Sequence, residues 1–422
     1  ILHTANVALA SGSNFLLNIN GNTAGTQYDQ LDVNGTIDLT GADLFLVGAF
    51  APAAGQSFTL IDNDGSDPVT GTFTGLPSNA TLTFNGVVLA IRYDGGDGND
   101  VVLTAVPVVS IDVAPASVTE DGVTNLVYTV TRSASLPTAT VVNITTAGSA
   151  TAGSDYTGAV ATATIAASAT NTTITIDPTV DGTLEANETV ILTVAAGSGY
   201  AVGAPSSATG TINNDDTAAI IVTPSSGLVT TEAGGTATFT VVLGSQPTGD
   251  VTIGLSSSDT TEGTVAPTSL VFTSGNWNVA QTVTVTGVDD LIVDGSVAYT
   301  INTAAATSSD SNYNGVDPAN VGVSNSDNDT AGITVNPTTG LVTTEAGGTA
   351  TFTVVLDSQP SADVSLGLSS SDTTEGTVAP TGLTFTSVNW NVAQTVTVTG
   401  VDDLIVDGSV AYTINTAAAT SS

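Results

Sequence analysis

The sequence of 422 residues contains no cysteine, no methionine and no lysine, and its only basic side chains besides one histidine are Arg92 and Arg132. The absence of cysteine excludes disulfides, a thiol nucleophile and cysteine-ligated zinc. Two basic residues against 39 acidic ones exclude the positive charge that nucleic acid or an anionic membrane surface requires of a partner. The single histidine, His3, argues against a histidine-based catalytic triad.

Long apolar runs are also missing, so no membrane-spanning segment and no signal peptide are predicted. The start at Ile1 indicates a processed or partial chain. With 41% hydrophobic and only 10% charged residues, the composition is that of a folded chain, not of a disordered one. Threonine and valine favour strands, which predicts an all-β protein. A net charge of −37 without lysine is typical of an extracellular or cell-surface protein, here expected to be bacterial.

The sequence repeats itself: residues 220–309 align with 333–422 without a gap, and 78 of the 90 positions are identical. A unit of this size fits one β-sandwich. Within 236–243 and 297–302, apolar residues alternate with polar ones, as in strands with one buried face. The last unit has no counterpart of residues 310–329. We expect its final strand to be missing through truncation, or to be supplied by another chain.

The N-terminal region differs from these units. Its stretches 28–35 (YDQLDVNG), 55–65 (GQSFTLIDNDG) and 95–104 (GGDGNDVVLT) resemble the final coils of autotransporter-like parallel β-helices. Residues 95–103 also fit the calcium-binding nonapeptide of RTX rolls. That motif works by stacking of successive turns, so one copy favours a turn and strand over a single calcium site. The predicted domains are a β-helix end or cap over 1–105, then sandwiches over 106–217, 218–330 and 331–422.

Acidic residues cluster at the predicted strand ends of 108–217, where the loops of a sandwich could bring them together. Such carboxylates have no basic partner and repel one another. A hard divalent cation removes the repulsion, and calcium fits flexible loops better than magnesium does. The alternative stays open that these residues form ordinary Asp and Asn turns and keep a threonine-rich surface soluble.

The segments SVTEDG, GSDYT, DGTLEANETVILTV and TINNDD within 108–217 resemble a Calx-beta domain. The resemblance implies an immunoglobulin-like sandwich with calcium at one tip, and residues 220–329 and 333–422 are similar to more distant members. The implied ligands in the first unit are Glu120, Asp155, Asp181, Glu185, Asp215 and Asp216, with Glu188 weaker. Those in the later units are Glu232, Asp259, Glu262, Asp289, Asp290, Asp294, Asp327 and Asp329, then Glu345, Asp372, Glu375, Asp402, Asp403 and Asp407.

An enzyme is not expected. Adjacent acids such as Asp289 and Asp290 would point to opposite faces of a strand and could not flank one bond. We therefore predict a structural or adhesive rod of calcium-stiffened sandwiches, in which junction sites at 215–216 and 327–329 lock the short linkers. Its partners would be other copies or a surface polysaccharide or protein. The alternatives are a filament, sheath or surface-layer subunit with strand exchange, and a non-catalytic region of a polysaccharide-active enzyme.

Overall fold

A computed structural model describes residues 1–403, 405–406 and 408–421. All regular secondary structure in these residues is β-strand. The prediction of an all-β protein is therefore confirmed. The chain forms two compact units, Ile1–Asp216 and Thr217–Ser422. Four separate hydrophobic cores lie within the four predicted ranges. Within these described residues there is no helix long and apolar enough to cross a membrane.

The N-terminal region combines parallel and antiparallel strands. Its strands are β1 (Leu2–Thr4), β2 (Val7–Ala8), β3 (Asn14–Asn18), β4 (Leu31–Val33), β5 (Ile37–Asp38), β6 (Asp43–Val47), β7 (Ser57–Asn63), β8 (Val69–Thr70), β9 (Thr81–Phe84), β10 (Val87–Gly95) and β11 (Asp100–Ala105). The main sheet has the order β1-β4-β7-β11-β10-β9, and smaller sheets pair β2-β5-β8 and β3-β6. Strand β4 pairs in parallel with β1 on one side and with β7 on the other, so that Leu31 lies beside Leu2 and Ile61.

The first sandwich follows. Its strands are β12 (Val108–Val113), β13 (Ser117–Thr119), β14 (Leu126–Arg132), β15 (Thr140–Gly148), β16 (Tyr156–Thr157), β17 (Thr162–Ile165), β18 (Asn171–Pro178), β19 (Glu188–Val194), β20 (Ala201–Val202) and β21 (Ser207–Asn213). They form two sheets, β16-β18-β14-β12-β20 and β13-β21-β19-β15-β17. Alternate residues of both sheets, such as Tyr128 and Leu192, are fully buried between them.

The middle sandwich has the same plan. Its strands are β22 (Ile220–Thr223), β23 (Leu228–Thr231), β24 (Thr236–Leu243), β25 (Val251–Ser257), β26 (Gly263–Ala266), β27 (Ser269–Phe272), β28 (Gln281–Gly287), β29 (Val297–Thr303), β30 (Thr307–Ser308) and β31 (Val321–Ser326). One sheet is β22-β24-β28-β26, and the other is β23-β31-β29-β25-β27 with β30 on β25. Phe239 of β24 lies opposite Val283 of β28, and both face the core, while neighbouring threonines face outward.

The last sandwich is smaller. Its strands are β32 (Ile333–Asn336), β33 (Thr349–Leu356), β34 (Val364–Ser370), β35 (Gly376–Ala379), β36 (Gly382–Phe385), β37 (Gln394–Gly400), β38 (Ile414–Thr416) and β39 (Thr420–Ser421). One sheet is β32-β33-β37-β35, and the other is β36-β34-β38 with β39 on β34. Trp390 packs in its core, as the partly buried Trp277 does against the core of the middle sandwich.

Candidate metal centre

One end of the first sandwich gathers the predicted acidic residues from four places in the chain. Glu120 follows β13, Asp155 lies in the turn before β16, Glu185 and Glu188 precede and begin β19, and Asp216 follows β21. One carboxylate oxygen from each of Asp155, Glu185 and Glu188 lies within 4.8 Å of the others. Glu188, the weaker candidate by sequence, therefore belongs to the most compact group of this sandwich.

Burial and mutual repulsion perturb these carboxyls. Desolvation raises the pKa of Glu120 to about 7, and the charges of Asp181, Glu185, Asp216 and Asp121 act in the same direction. The pKa of Glu188 is also raised to about 7, first by desolvation and then by its hydrogen bond with Asp155 and the charge of Asp155. Each charged form is thus destabilised by its neighbours, and a bound cation would reverse that cost.

Two carboxylate oxygens at this end are buried and unpaired. Glu188 Oε2 and Asp216 Oδ2 have no hydrogen-bond partner within the described chain. Backbone donors occupy other carboxylates, such as Asp181, whose Oδ1 accepts from Thr183 N at 2.7 Å. Unpaired buried carboxylate oxygens with no basic residue beside them are the donor set that calcium binds, so the residues fit calcium.

The middle sandwich brings together two three-carboxylate groups. The first contains Glu232, Asp327 and Asp329, and the second contains Glu262, Asp290 and Asp294. Glu232 and Glu262 are only 2% and 5% exposed, respectively. Strand β31 places the first group, because it runs parallel to β23 and leads directly into Asp327, while β23 leads into Glu232.

The same physical causes act here. Desolvation raises the pKa of Glu232, opposed by a hydrogen bond from Asn328 N and reinforced by Asp327, Asp290 and Asp294. Desolvation also raises the pKa of Glu262 and of Asp329. Asp329 Oδ2 is buried and unpaired among the described residues. These groups therefore also fit calcium.

Asparagines link the acidic loops of the middle sandwich, a feature that the sequence reasoning missed. Asn328 donates from its backbone to Glu232 Oε2 at 3.0 Å and from its side chain to Asp289 Oδ1 at 3.4 Å. Asn325 Nδ2 donates to Glu262 Oε2 at 3.4 Å. The signal was present in the sequence, because asparagine stands beside aspartate in Asn-Asn-Asp-Asp at 213–216 and in Ser-Asp-Asn-Asp at 326–329.

Some predicted ligands lie outside these groups. Asp259 accepts hydrogen bonds from Thr261 N at 3.0 Å and Thr261 Oγ1 at 2.5 Å, which lower its pKa, and Asp372 makes the same contacts with Thr374. Both close their own turns. Asp181 and Asp215 lie near the first group without joining the compact triad, and Asp289 contacts Asn328.

The last sandwich brings no such group together within its described residues. Glu345 and Asp402 are exposed. Asp403 Oδ1 accepts from Ile405 N at 2.9 Å, and Glu375 is partly buried. The predicted ligand Asp407 lies outside the described residues.

A sequence model of the Calx-beta domain matches residues 104–216 and 215–329, slightly more than half of the chain. The chain belongs to the Calx-beta family. The predicted tandem of Calx-beta domains is confirmed over 104–329, whereas membership of the 333–422 unit stays a prediction. Calx-beta domains typically bind calcium, and the carboxylate groups at the domain ends are consistent with this. Because the match begins at 104, the autotransporter-like resemblance of the N-terminal region also stays a prediction.

Solved structures resemble parts of the chain. CBD12 from CALX1.2 is 17% identical over 51% of this chain and 98% of that chain, with a TM-score of 0.33. The calcium binding domain CBD12 of CALX1.1 is 19% identical over 46% and 80%, with a TM-score of 0.33. Domains 4 and 5 of the S-layer protein SbsC are 24% identical over 36% and 69%, with a TM-score of 0.19. No curated protein sequence matches the chain significantly.

Proposed function

We propose that the chain is a non-enzymatic extracellular structural or adhesive protein, in which calcium stiffens tandem Calx-beta sandwiches into a rod or stalk. The proposal is supported by the acidic groups at domain ends and by near-identical tandem units, which suit a spacer. Its partners would be other copies or a surface polysaccharide or protein, and the net charge of −37 argues against nucleic acid.

One observation carries the proposal: an acidic loop of the middle sandwich also contacts the last sandwich. Asp290 and Asp294 belong to the carboxylate group completed by Glu262. Between them, Leu291 O accepts a hydrogen bond from Gln359 N at 2.6 Å, and Ile292 forms a β-bridge with Gln359. The segment that would wrap the cation is therefore the segment that joins two sandwiches.

Charge balance explains how calcium would act at this junction. Without the cation, Glu262, Asp290 and Asp294 repel one another within a few ångströms, which loosens the loop between β28 and β29. With the cation, the carboxylates converge on one centre and hold Leu291 and Ile292 in place for Gln359. Calcium would then limit bending between the two sandwiches while each remains folded.

The test is small-angle scattering of the chain in millimolar calcium and in excess chelator. We expect a longer and stiffer monomer in calcium. Glu262→Gln should lose much of this response, and the matched variant Asp259→Asn, whose carboxylate caps its own turn, should retain it. A wild-type scattering profile that ignores calcium would contradict the proposal.

A subunit of a filament, sheath or surface layer is the second candidate, favoured by the exposed edge of the last sandwich. Tyr412 and Ile414 are partly exposed, whereas their counterparts Tyr299 and Ile301 in the middle sandwich are 5% and 0% exposed. An open, apolar strand edge invites pairing with another chain. Assemblies that grow with protein concentration in size exclusion would favour this candidate, and a monomer at all concentrations would remove it.

We also propose that the N-terminal region is built as coils of a parallel β-helix. Support comes from three parallel ladders that join β1 to β4 and β7, β2 to β5 and β8, and β3 to β6. Deleting one coil, residues 31–60, should leave a folded region if the coils are equivalent, and should unfold it if they are not. Circular dichroism and proteolysis distinguish the two results.

A further inference from the structure

The N-terminal region contains a polar cluster that is separate from the acidic ends of the sandwiches. The cluster lies between the loop that follows β7 and the hairpin turn that joins β10 to β11. Asn63, Asn99 and Asp100 contribute its centre and are only 1%, 5% and 6% exposed. A protein interior holds such groups only when their polar atoms have partners.

Hydrogen bonds fix the orientation of the two asparagine side chains. Asn63 Nδ2 donates to the carbonyl oxygen of Asp67 at 2.5 Å. Asn99 Nδ2 donates to the same oxygen at 2.9 Å and to that of Gly65 at 3.3 Å. Since a flipped amide would set two oxygens against each other, these bonds establish which end of each amide is the nitrogen.

The amide oxygens of both asparagines are consequently directed away from these carbonyls. Neither Asn63 Oδ1 nor Asn99 Oδ1 has a hydrogen-bond partner in the part of the chain that the structure describes. Leaving a buried acceptor without a partner is energetically costly, so two such oxygens in one cluster favour a bound ligand that contacts both.

Asp100 adds a buried negative charge to the same cluster. Its Oδ1 accepts a hydrogen bond from Asn63 N at 2.9 Å, which ties the aspartate to the first asparagine. Its other oxygen lies against Gly96, where a Cβ would fall 1.8 Å from it, so a side chain at position 96 would displace the Asp100 carboxylate. Burial raises the pKa of Asp100, and the nearby charges of Asp62 and Asp97 raise it further.

We propose that Asn63, Asn99 and Asp100 form a calcium site in the N-terminal region, with Asp62 and Asp97 supplying negative charge at its rim. Two amide oxygens and a carboxylate are hard oxygen donors of the kind that calcium coordinates. The cluster has no nitrogen or sulfur ligand of the kind zinc prefers. A water molecule could satisfy the amide oxygens, but it would not offset three neighbouring carboxylates.

Hydrogen exchange of the full chain, followed by mass spectrometry with calcium or chelator, tests this site locally. Peptides that cover residues 58–70 and 93–104 should exchange about tenfold more slowly at free calcium about ten times the dissociation constant. Asp100→Asn should abolish this protection, because it keeps an oxygen for Asn63 N and loses the charge. The matched control Asp94→Asn should keep it, since Arg92 already holds that carboxylate through two hydrogen bonds of 3.0 Å.

The exposed variant Asp97→Asn provides a second test that does not depend on a buried substitution, and it should weaken the calcium effect severalfold. If the exchange rates of these peptides in the wild-type chain are the same with calcium and with chelator, the calcium site is wrong and the two amide oxygens bind water. Full protection in a folded Asp100→Asn variant would also overturn the site. The sandwiches are reported by other peptides, so failure here is distinguishable from failure of the proposed function.

Discussion

The middle and last sandwiches share 78 of 90 aligned residues but place their acidic residues differently. Glu232 is 2% exposed and lies in a group with Asp327 and Asp329, whereas its counterpart Glu345 is exposed. The difference is explained by strand β31 of the middle sandwich, which pairs with β23 and β29 and leads into Asp327 and Asp329. An identical local sequence thus becomes a candidate calcium group only when a strand from elsewhere completes it.

The same strand affects the core. In the middle sandwich, Val321 and Val323 of β31 are buried, and β29 extends over Val297–Thr303. In the last sandwich, β38 covers only Ile414–Thr416. Tyr412 is half-buried, while its counterpart Tyr299 is 5% exposed. This sheet of the middle sandwich therefore depends on β31 both for backbone hydrogen bonds to β23 and β29 and for burial of its apolar face.

The largest expected effect comes from adding a counterpart of β31 to the last sandwich. Appending the sequence of residues 310–329 after Ser422 should pair a new strand with the counterparts of β23 and β29 in the last sandwich. We expect hydrogen exchange across 341–345 and 408–416 to slow by at least about tenfold, because each paired amide must then open to exchange.

The control for that experiment is an appended segment in which the counterparts of Val321 and Val323 are serine. It offers the same backbone but cannot fill the core, so it should protect much less. Equal protection by both segments, or none by either, would show that β31 does not explain the difference between the two sandwiches.

A pH series should give a smaller effect and extends the comparison to the first sandwich, where Glu120 occupies the position of Glu232 and Glu345. The pKa of Glu120 is raised to about 7, so the folded state binds more protons than the unfolded state between about pH 4.5 and 7. The contribution of Glu120 to calcium-free stability should be fully present below this window and should be lost as pH rises through it.

Glu120→Gln should flatten that decline by on the order of 1 kcal/mol, after discounting for partial solvent screening, and Glu345→Gln should leave it unchanged. Thermal unfolding of both variants in chelator at several pH values measures this. The same pH dependence in the wild-type chain and in Glu120→Gln would contradict the raised pKa.

The smallest effect should come from the two turn-closing aspartates. Asp259→Asn and Asp372→Asn remove a carboxylate that accepts from Thr261 or Thr374, and Asn retains one acceptor oxygen. Each should lower the free energy of unfolding only slightly, and the two losses should be equal. Denaturant unfolding of each variant tests this, and unequal losses would show that these turns also depend on β31.

The sequence predicted the local features of the fold well. Strand alternation at 236–243 and 297–302 corresponds to β24 and β29, whose bounds are Thr236–Leu243 and Val297–Thr303. This succeeded because period-two alternation directly reflects one buried and one exposed face. The domain boundaries and the β-helix assignment stay predictions, since short strands joined by turns fit several all-β arrangements.

The candidate sites were harder to predict because they depend on tertiary placement. Matching by position put both Asp259 and Glu262 where Asp155 lies. The structure places Glu262 in a carboxylate group with Asp290 and Asp294 but turns Asp259 toward Thr261. It also gives Glu188 a larger part than the sequence indicated. In the N-terminal region, the repeat motif pointed to the turn at 95–100 but could not place Asn63 beside it.

Calorimetric calcium titration of the wild-type chain, Glu232→Gln and Glu345→Gln at neutral pH tests whether the neighbouring strand β31 turns the same local sequence into a calcium site. The two substitutions remove the same charge from the same local sequence, but only Glu232 lies beside Asp327 and Asp329. We expect Glu232→Gln to lose a binding event or to weaken it at least about tenfold, equivalent to about 1.4 kcal/mol, and Glu345→Gln to leave the isotherm unchanged. Equal losses in both variants, or no loss in Glu232→Gln, would contradict this expectation.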